Sequence, residues 1–268
     1  MSAHTERGGS TETAADALAR LYDLDLADDP GDLDLYLALA ARGDGPVLEL
    51  ATGSGRLAVP LAAAGHRVTG VDLDPAMLAR ARPAADGAGR ATAARLRLLE
   101  ADARSVRLAD AGSYALGFIG LNSIFLLGTR AEQSAAVATL GAHLAPGGTA
   151  VIDAWLPDAD DLSRYDGRLI LEWVRVDPDT GRTATKTGSA TYDPTRSVVR
   201  LVTIFEEGDA GEPPVRWVRT DRLRLVTPDD LVTFAEAAGL AVETLAGGYD
   251  LEPLEPGAER VVLIARRV

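Results

Sequence analysis

The chain has 268 residues, no cysteine, and 40 acidic against 27 basic side chains, a net charge of −13. This composition excludes disulfides and thiolate metal sites, and it opposes binding to a phosphate backbone, which needs clustered Lys and Arg to release counterions. No run reaches the roughly 18 apolar residues of a membrane span and the polar start Met1–Thr13 lacks an apolar signal core, so a cytoplasmic protein with no membrane partner is expected.

Helical spacing is expected from Thr13 to about Asp25 and from Leu33 to Arg42, separated by the breaker Asp28-Asp29-Pro30-Gly31. Residues 1–45 therefore read as a helical cap. Tyr22 and Tyr36 each sit among leucines, a pattern that predicts amphipathic packing with the hydroxyl at the surface.

The run Val47-Leu48-Glu49-Leu50-Ala51-Thr52-Gly53-Ser54-Gly55-Arg56-Leu57 reads as a buried strand, a glycine-rich turn and a helix start. Gly53 and Gly55 permit positive φ and close approach of a ligand to the backbone. With Ala58 the segment comes close to the dinucleotide fingerprint G-x-G-x-x-G, which keeps a nicotinamide-dependent oxidoreductase in view. Glu49 argues against it, because a carboxylate aimed at the crevice repels pyrophosphate and attracts a cation.

Arg67–Asp72 forms a second short strand ending in an acid, and Asp74-Pro75 begins a helix with an N-cap residue and proline at N1. Asp72 follows Glu49 by 23 residues, close to the spacing at which an acid accepts ribose hydroxyls. Leu96–Ala103 is a third strand ending at Asp102, and Tyr114–Ile119 is a fourth, leading into Gly120-Leu121-Asn122-Ser123. Thr129-Arg130-Ala131-Glu132 reads as a capping box, Ala145-Pro146-Gly147-Gly148 closes its helix, and Thr149–Trp155 is strand five.

In this order the motifs resemble those of class I S-adenosylmethionine-dependent methyltransferases. The run E-x-A-x-G-x-G is similar to the family's first motif, with Ala51 in place of its first glycine, and L-x-P-G-G before strand five is a further recurring feature. The resemblance implies an α/β fold: a doubly wound, seven-stranded Rossmann-like sheet binding S-adenosyl-L-methionine at the carboxyl ends of its parallel strands. It implies a cofactor site of Glu49, Ala51, Gly53, Gly55, Arg56, Asp72, Leu73, Met77, Asp102, Ala103 and Leu121. Within that set Asp72 would take the ribose diol and Asp102 the adenine amino group. It also implies that Tyr22-Asp23, in the first helix, closes over the cofactor. The N-P-P-Y and D-P-P-Y patterns of nucleobase and glutamine methyltransferases are missing, as is the usual acid at the start of strand four.

From Arg168 to Val226 the period changes to two, with Leu169, Leu171 and Trp173 alternating against Arg168, Ile170 and Glu172, and long extended runs following the turn Asp177–Gly181. This is an inserted antiparallel sheet, bounded at 161–226, that would wall an acceptor pocket on one face and pair two subunits through the other. The core would occupy 46–160 and close with 227–268, where Thr227-Pro228-Asp229-Asp230 caps a helix and Leu240–Leu245 and Arg260–Ala265 supply the last two strands.

The expected reaction is methyl transfer to an N, C or O nucleophile of a small molecule in secondary metabolism, with N or C favoured. A poorly acidic hydroxyl needs a base, and His4, His66 and His143 are badly placed to be one. Tyr22, Asn122, Asp153, Trp155 and Tyr249 are the candidate acceptor and catalytic residues: Asn122 to orient, Trp155 as an apolar or cation–π wall, Asp153 to hold an amine or take its proton. No metal-ligand spacing occurs. A catalytically silent S-adenosylmethionine-binding protein, using the inserted sheet as an interface, is the remaining alternative.

Overall fold

In the computed structural model, which describes residues 12–28, 30–209, 211 and 213–268, the apolar runs and capped segments alternate as strands and helices. His4 and most of the polar start lie outside the described residues. Helix α1 (Ala14–Asp25) begins at Thr13, whose hydroxyl accepts from the Asp16 N–H, and α2 (Leu33–Ala40) follows. The core then runs β1 (Val47–Leu50), α3 (Ala58–Ala63), β2 (Val68–Asp72), α4 (Pro75–Gly87), α5 (Arg90–Arg95), β3 (Leu96–Glu100), β4 (Tyr114–Ile119), α6 (Arg130–His143), β5 (Leu144–Trp155) and α7 (Ala159–Ser163). After these come β6 (Ile170–Val176), β7 (Thr183–Asp193), β8 (Val198–Gly208), β9 (Val215–Arg224), α8 (Pro228–Ala237), β10 (Leu240–Ala246) and β11 (Arg260–Arg267).

Seven strands form one sheet in the order β10-β11-β5-β4-β1-β2-β3. β3, β2, β1, β4 and β5 are parallel, while β11 runs antiparallel to both of its neighbours. β1 is buried throughout, as a central strand covered on both faces must be. The order turns back between β1 and β4, and a crevice opens at their carboxyl ends.

The second sheet, β6-β7-β8-β9, is antiparallel and separate from the first. The two N-terminal helices do not act as one cap. α2 packs into the core through Leu35, Tyr36 and Leu39, whereas α1 lays Leu21 and Leu24 on Ala184 and Phe205 of the inserted sheet. Each of those leucines contributes about 1.5–3 kcal/mol by burial. Ion pairs complete the docking: Arg20 of α1 is buried against Asp177, between β6 and β7, and Glu207 of β8. Arg80 of α4 reaches Asp23 and Asp179, tying α1 back to the core.

Several local expectations need correction. Strand five begins at Leu144 rather than Thr149, because the Pro-Gly-Gly turn is absorbed into β5 with a register shift against β4. Leu169, Ile170 and Leu171 are all exposed, at 65%, 56% and 60%, at the edge of the sheet, and a register irregularity between Leu171 and Trp173 breaks the expected alternation. The Thr129 hydroxyl caps Glu132 N–H, but the Glu132 side chain turns to Arg104 and the Thr129 hydroxyl, so that capping box is half formed. The one at Thr227 and Asp230 is complete. Tyr36 is fully buried, hydroxyl included.

Candidate active site

The glycine-rich turn links β1 to α3 with Ala51, Gly53 and Gly55 all at positive φ, 61°, 55° and 82°. At Gly55 a Cβ would meet Val59 at 3.1 Å and Ala81 at 3.2 Å, so both conformation and space require glycine there. Ala51 holds the left-handed conformation at a cost of about 1 kcal/mol that the family's glycine would avoid. Asp72, at the end of β2, accepts from Gly53 N at 2.7 Å and Asp74 N at 2.9 Å, fixing turn and strand end to one another. Burial raises its pKa against the pull of those backbone donors.

Glu49 lies behind the turn, buried, with Oε2 accepting from the Thr52 hydroxyl at 2.7 Å. Burial pushes its carboxyl up to about 8, opposed by the Thr52 hydrogen bond and the charge of Arg56. Between the ordinary glutamate value of 4.5 and about 8, the folded chain thus carries a proton that the unfolded chain has released, and stability falls as pH rises across that window. Glu49→Gln keeps an oxygen for Thr52 and has no such loss. Thermal unfolding should show the variant's advantage over the parent growing from pH 4.5 to about 8 and then levelling off. A difference independent of pH would mean that Glu49 folds as its carboxylate.

The crevice has three connected lobes. The first, about 560 Å³, is walled by Leu50, Ile119, Leu127 and Ala136, with Asp72, Leu73, Asp102 and Ala103 along its rim. Asp102 is already engaged there by the backbone N–H and the guanidinium of Arg104, at 2.6–2.9 Å, which holds its pKa below the usual range. The second lobe, about 410 Å³, shares Ala51, Asp72 and Ser123 with the first and adds Gly53, Met77 and Tyr22. The third, about 320 Å³, shares Tyr22, Ser123 and Arg219 with the second. Leu121, Asn122, Phe125, Trp155 and Tyr165 line it on the core side, while inward positions of the inserted sheet close it, with Leu201, Thr203 and Phe205 on β8 and Asp221 and Leu223 on β9.

Beneath the third lobe lies a buried polar hub. Asp153 is fully enclosed and accepts from Tyr36 Oη at 2.6 Å, Tyr249 Oη at 3.0 Å, Arg260 Nη1 at 2.8 Å and Leu121 N at 3.0 Å. The Arg260 guanidinium also lies 4.7 Å from the centre of the Tyr249 ring. Burial raises the Asp153 pKa, with the Tyr36 hydrogen bond and the charge of Arg260 opposing the shift. Burial also raises both tyrosines, so their hydroxyls stay protonated and donate.

Of the sequence-derived cofactor residues, Ala51, Gly53, Asp72, Leu73, Met77, Asp102 and Ala103 face the first two lobes. Glu49, Gly55 and Arg56 stand behind them, and Leu121 faces the third. Arg56 is spent on Asp32 at the start of α2, in two bonds of 2.6 Å. Tyr22, Asn122 and Trp155 meet in the third lobe, whereas Asp153 and Tyr249 do not reach it. Lys186, Arg219, Asp25, Asp221 and Tyr165 are wall residues that sequence reasoning missed; period two marks every second position of a strand without saying which face looks inward. His143 is buried, sharing Nδ1 with Thr139 O and accepting Leu108 N–H at Nε2, and His66 is half-buried away from the crevice. Among the described residues no cluster of His, Asp or Glu has metal-binding geometry, and no helix is long and apolar enough to cross a membrane.

The residues fit S-adenosylmethionine. Asp72 and Asp74 stand at the glycine turn, where a pyrophosphate would need cations, and the apolar first lobe with Asp72 at its rim suits a nucleoside. Glu49, expected to aim at the crevice, is instead buried behind the turn and adds no charge to it. The fold is that of the class I S-adenosylmethionine-dependent methyltransferases, and the crevice fits their cofactor. Residues 47–148 match the model of a methyltransferase domain, which removes the nicotinamide reading. No curated protein matches the chain. The solved structure of the CcbJ methyltransferase from Streptomyces caelestis superposes with a TM-score of 0.78 at 23% identity, covering 97% of this chain and all of that one. CalS10 from Micromonospora echinaspora, an amino pentose methyltransferase of calicheamicin biosynthesis solved with the cofactor bound, gives 0.63 at 26% identity over 98% and 93% of the two chains. The sugar N-methyltransferase KedS8 from a Streptoalloteichus species gives 0.70 at 23% over 100% and 98%.

Proposed function

We propose that this methyltransferase acts on the nitrogen of a small, hydroxylated amine of the amino-sugar kind, in the cytoplasm and in natural-product metabolism. The character of the third lobe carries this reading. The hydroxyls of Tyr22, Ser123, Tyr165 and Thr203 line it, none with a hydrogen bond to the described residues, beside the flat Trp155 and the carboxylates of Asp25 and Asp221. The open hydroxyls pair with a polyol, and the two carboxylates, although bonded to Lys186 at 2.7 Å and Arg219 at 2.8 Å, keep lone pairs for an amine N–H. The neighbours named as amino pentose and sugar N-methyltransferases support the same class.

Bound S-adenosylmethionine supplies an electrophilic methyl group on a sulfonium. Asp72 holds the nucleoside end, and its carboxylate keeps lone pairs beyond the two backbone donors for a diol. Tyr22 spans the second and third lobes and donates to the acceptor, Asn122 turns it, and Trp155 excludes water from its apolar face. The nitrogen attacks as the neutral amine, so an ammonium first gives up its proton to water or a wall carboxylate. Its lone pair then takes the methyl while the C–S pair returns to sulfur. That step needs no strong base, and alignment supplies much of its rate. Incubation with labelled S-adenosylmethionine and a panel of amino sugars, simple amines and phenols should label the amino sugars. Transfer only to phenols would overturn the nitrogen assignment, and tight cofactor binding with no transfer to any acceptor would favour the silent binding protein.

Asp72→Ala should weaken S-adenosylhomocysteine binding by about tenfold or more, the equivalent of roughly 1.5–3 kcal/mol of charge-assisted hydrogen bonds. Because Asp72 also anchors Gly53 N, the lost affinity includes loosening of the turn. Calorimetry decides: parental affinity in a folded variant would move the diol site elsewhere.

A homodimer through the outer face of the inserted sheet is proposed as well. Val174, Val176 and Val218 project opposite to Trp173, Arg175 and Trp217 and are 58%, 65% and 53% exposed. The valines share that face with Ile204 and with Thr185, Glu206 and Arg216, so the apolar patch covers part of it, and a second copy would take the valines out of water. Light scattering should give twice the chain mass, and Val174→Glu with Val218→Glu should halve it. A parent that is monomeric at micromolar concentration would dispose of the dimer.

A further inference from the structure

Leu121 and Asn122, which follow β4, are consecutive non-glycine residues in the left-handed region, with φ 47° and 64°. Single residues visit that region at a cost of order 1–3 kcal/mol, and an adjacent pair persists only if its surroundings over-determine it. Two contacts hold this pair. The Leu121 N–H donates to both oxygens of Asp153, at 3.0 and 3.1 Å, and Asn122 Oδ1 accepts the Trp155 N–H at 2.6 Å. Space beneath the turn is equally constrained, since a Cβ on Gly120 would lie 3.3 Å from Tyr36 Oη and 3.6 Å from Asp153 Oδ1.

We propose that Asp153, rather than meeting the acceptor, is the positioning residue of its pocket: from below it locks the strained Leu121–Asn122 turn, and so sets where Asn122 and Trp155 stand. Tyr36, Tyr249 and Arg260 come from α2, the β10–β11 connection and β11, and they consume the rest of the carboxylate's accepting capacity. Removing one donor leaves the carboxylate freer to shift away from Leu121 N. The inference rests on the third lobe being the acceptor pocket.

The test is a set of variants read by kcat, acceptor KM and, separately, S-adenosylhomocysteine affinity by calorimetry. Asp153→Ala should lower kcat by about a hundredfold, the scale of an ångström's misplacement. Asp153→Asn, which retains one oxygen for Leu121 N, should recover about tenfold of that loss. Both should bind S-adenosylhomocysteine within about threefold of the parent. If Asp153→Ala fails to fold, Asp153→Asn and Tyr249→Phe carry the test, each expected to lower kcat by about tenfold. In a double-mutant cycle, Asn122→Ala should cost little more once Asp153 is replaced, because both changes act on one turn. Parental kcat in Asp153→Asn and Tyr249→Phe, additive losses in the cycle, or an equal fall in turnover and cofactor affinity would each overturn the proposal. Parental kcat and KM in Asn122→Ala alone would instead remove the pocket assignment, whatever the Asp153 variants do.

Discussion

Replacing Arg20 with alanine is expected to cost about 3–5 kcal/mol of stability, because it leaves two carboxylates buried without their cation. Arg20, Asp177 and Glu207 are each under 5% exposed, and Arg20 Nη2 stands 3.0 Å from Glu207 and 2.8 Å from Glu12. Glu207 keeps only the Trp217 indole N–H, at 3.2 Å, once the guanidinium is gone. For a chain of this size the loss is a fall in melting temperature of about 10 °C or more. Denaturant melts at neutral pH check the size. A variant within about 1 kcal/mol of the parent would mean that α1 docks by its leucines alone. Replacing all three charged groups by apolar residues of similar volume should be far milder than removing the arginine, since the penalty lies in the stranded charges.

Turnover should fall by about ten- to a thousandfold in Tyr22→Phe and in Asn122→Ala, without vanishing in either. Burial raises the Tyr22 phenol, with the charges of Arg56 and Arg219 opposing the shift, so at neutral pH it is a hydrogen-bond donor and not a base. Asn122 spends its oxygen on Trp155 N and keeps its amide N–H groups for a ligand. In the proposed mechanism both groups orient, and an orienting group leaves residual rate when it is removed. Steady-state kinetics at saturating cofactor, with acceptor binding measured independently, separates the cases. Complete loss of chemistry from one substitution while both ligands still bind would identify an acid–base residue and end the positioning account.

The glycine-rich turn and the acid that ends the next strand were legible because their determinants are local. An apolar run, two glycines and a capped helix start make a strand, turn and helix whatever surrounds them, and Asp72 ends the next strand by the same short-range logic. Period two likewise disclosed the inserted sheet, and its four strands lie between Arg168 and Val226 as expected. Its inner face was not legible, because a one-residue irregularity at Leu171–Trp173 exchanges the faces of an edge strand.

The sequence by itself determined the order of elements, the parallel core and the glycine-rich turn between β1 and α3. It did not disclose that Arg56 would be turned away to Asp32, that Tyr36 would bury its hydroxyl, or that Asp153 would sit below the pocket instead of in its wall. Tertiary structure alone decided those points. Tyr36 and Arg260 meet Asp153 across 117 and 107 residues, and a buried carboxylate goes wherever enough donors converge to replace its water. Propensity and periodicity describe a residue's neighbours along the chain; that convergence exists only after the chain has folded.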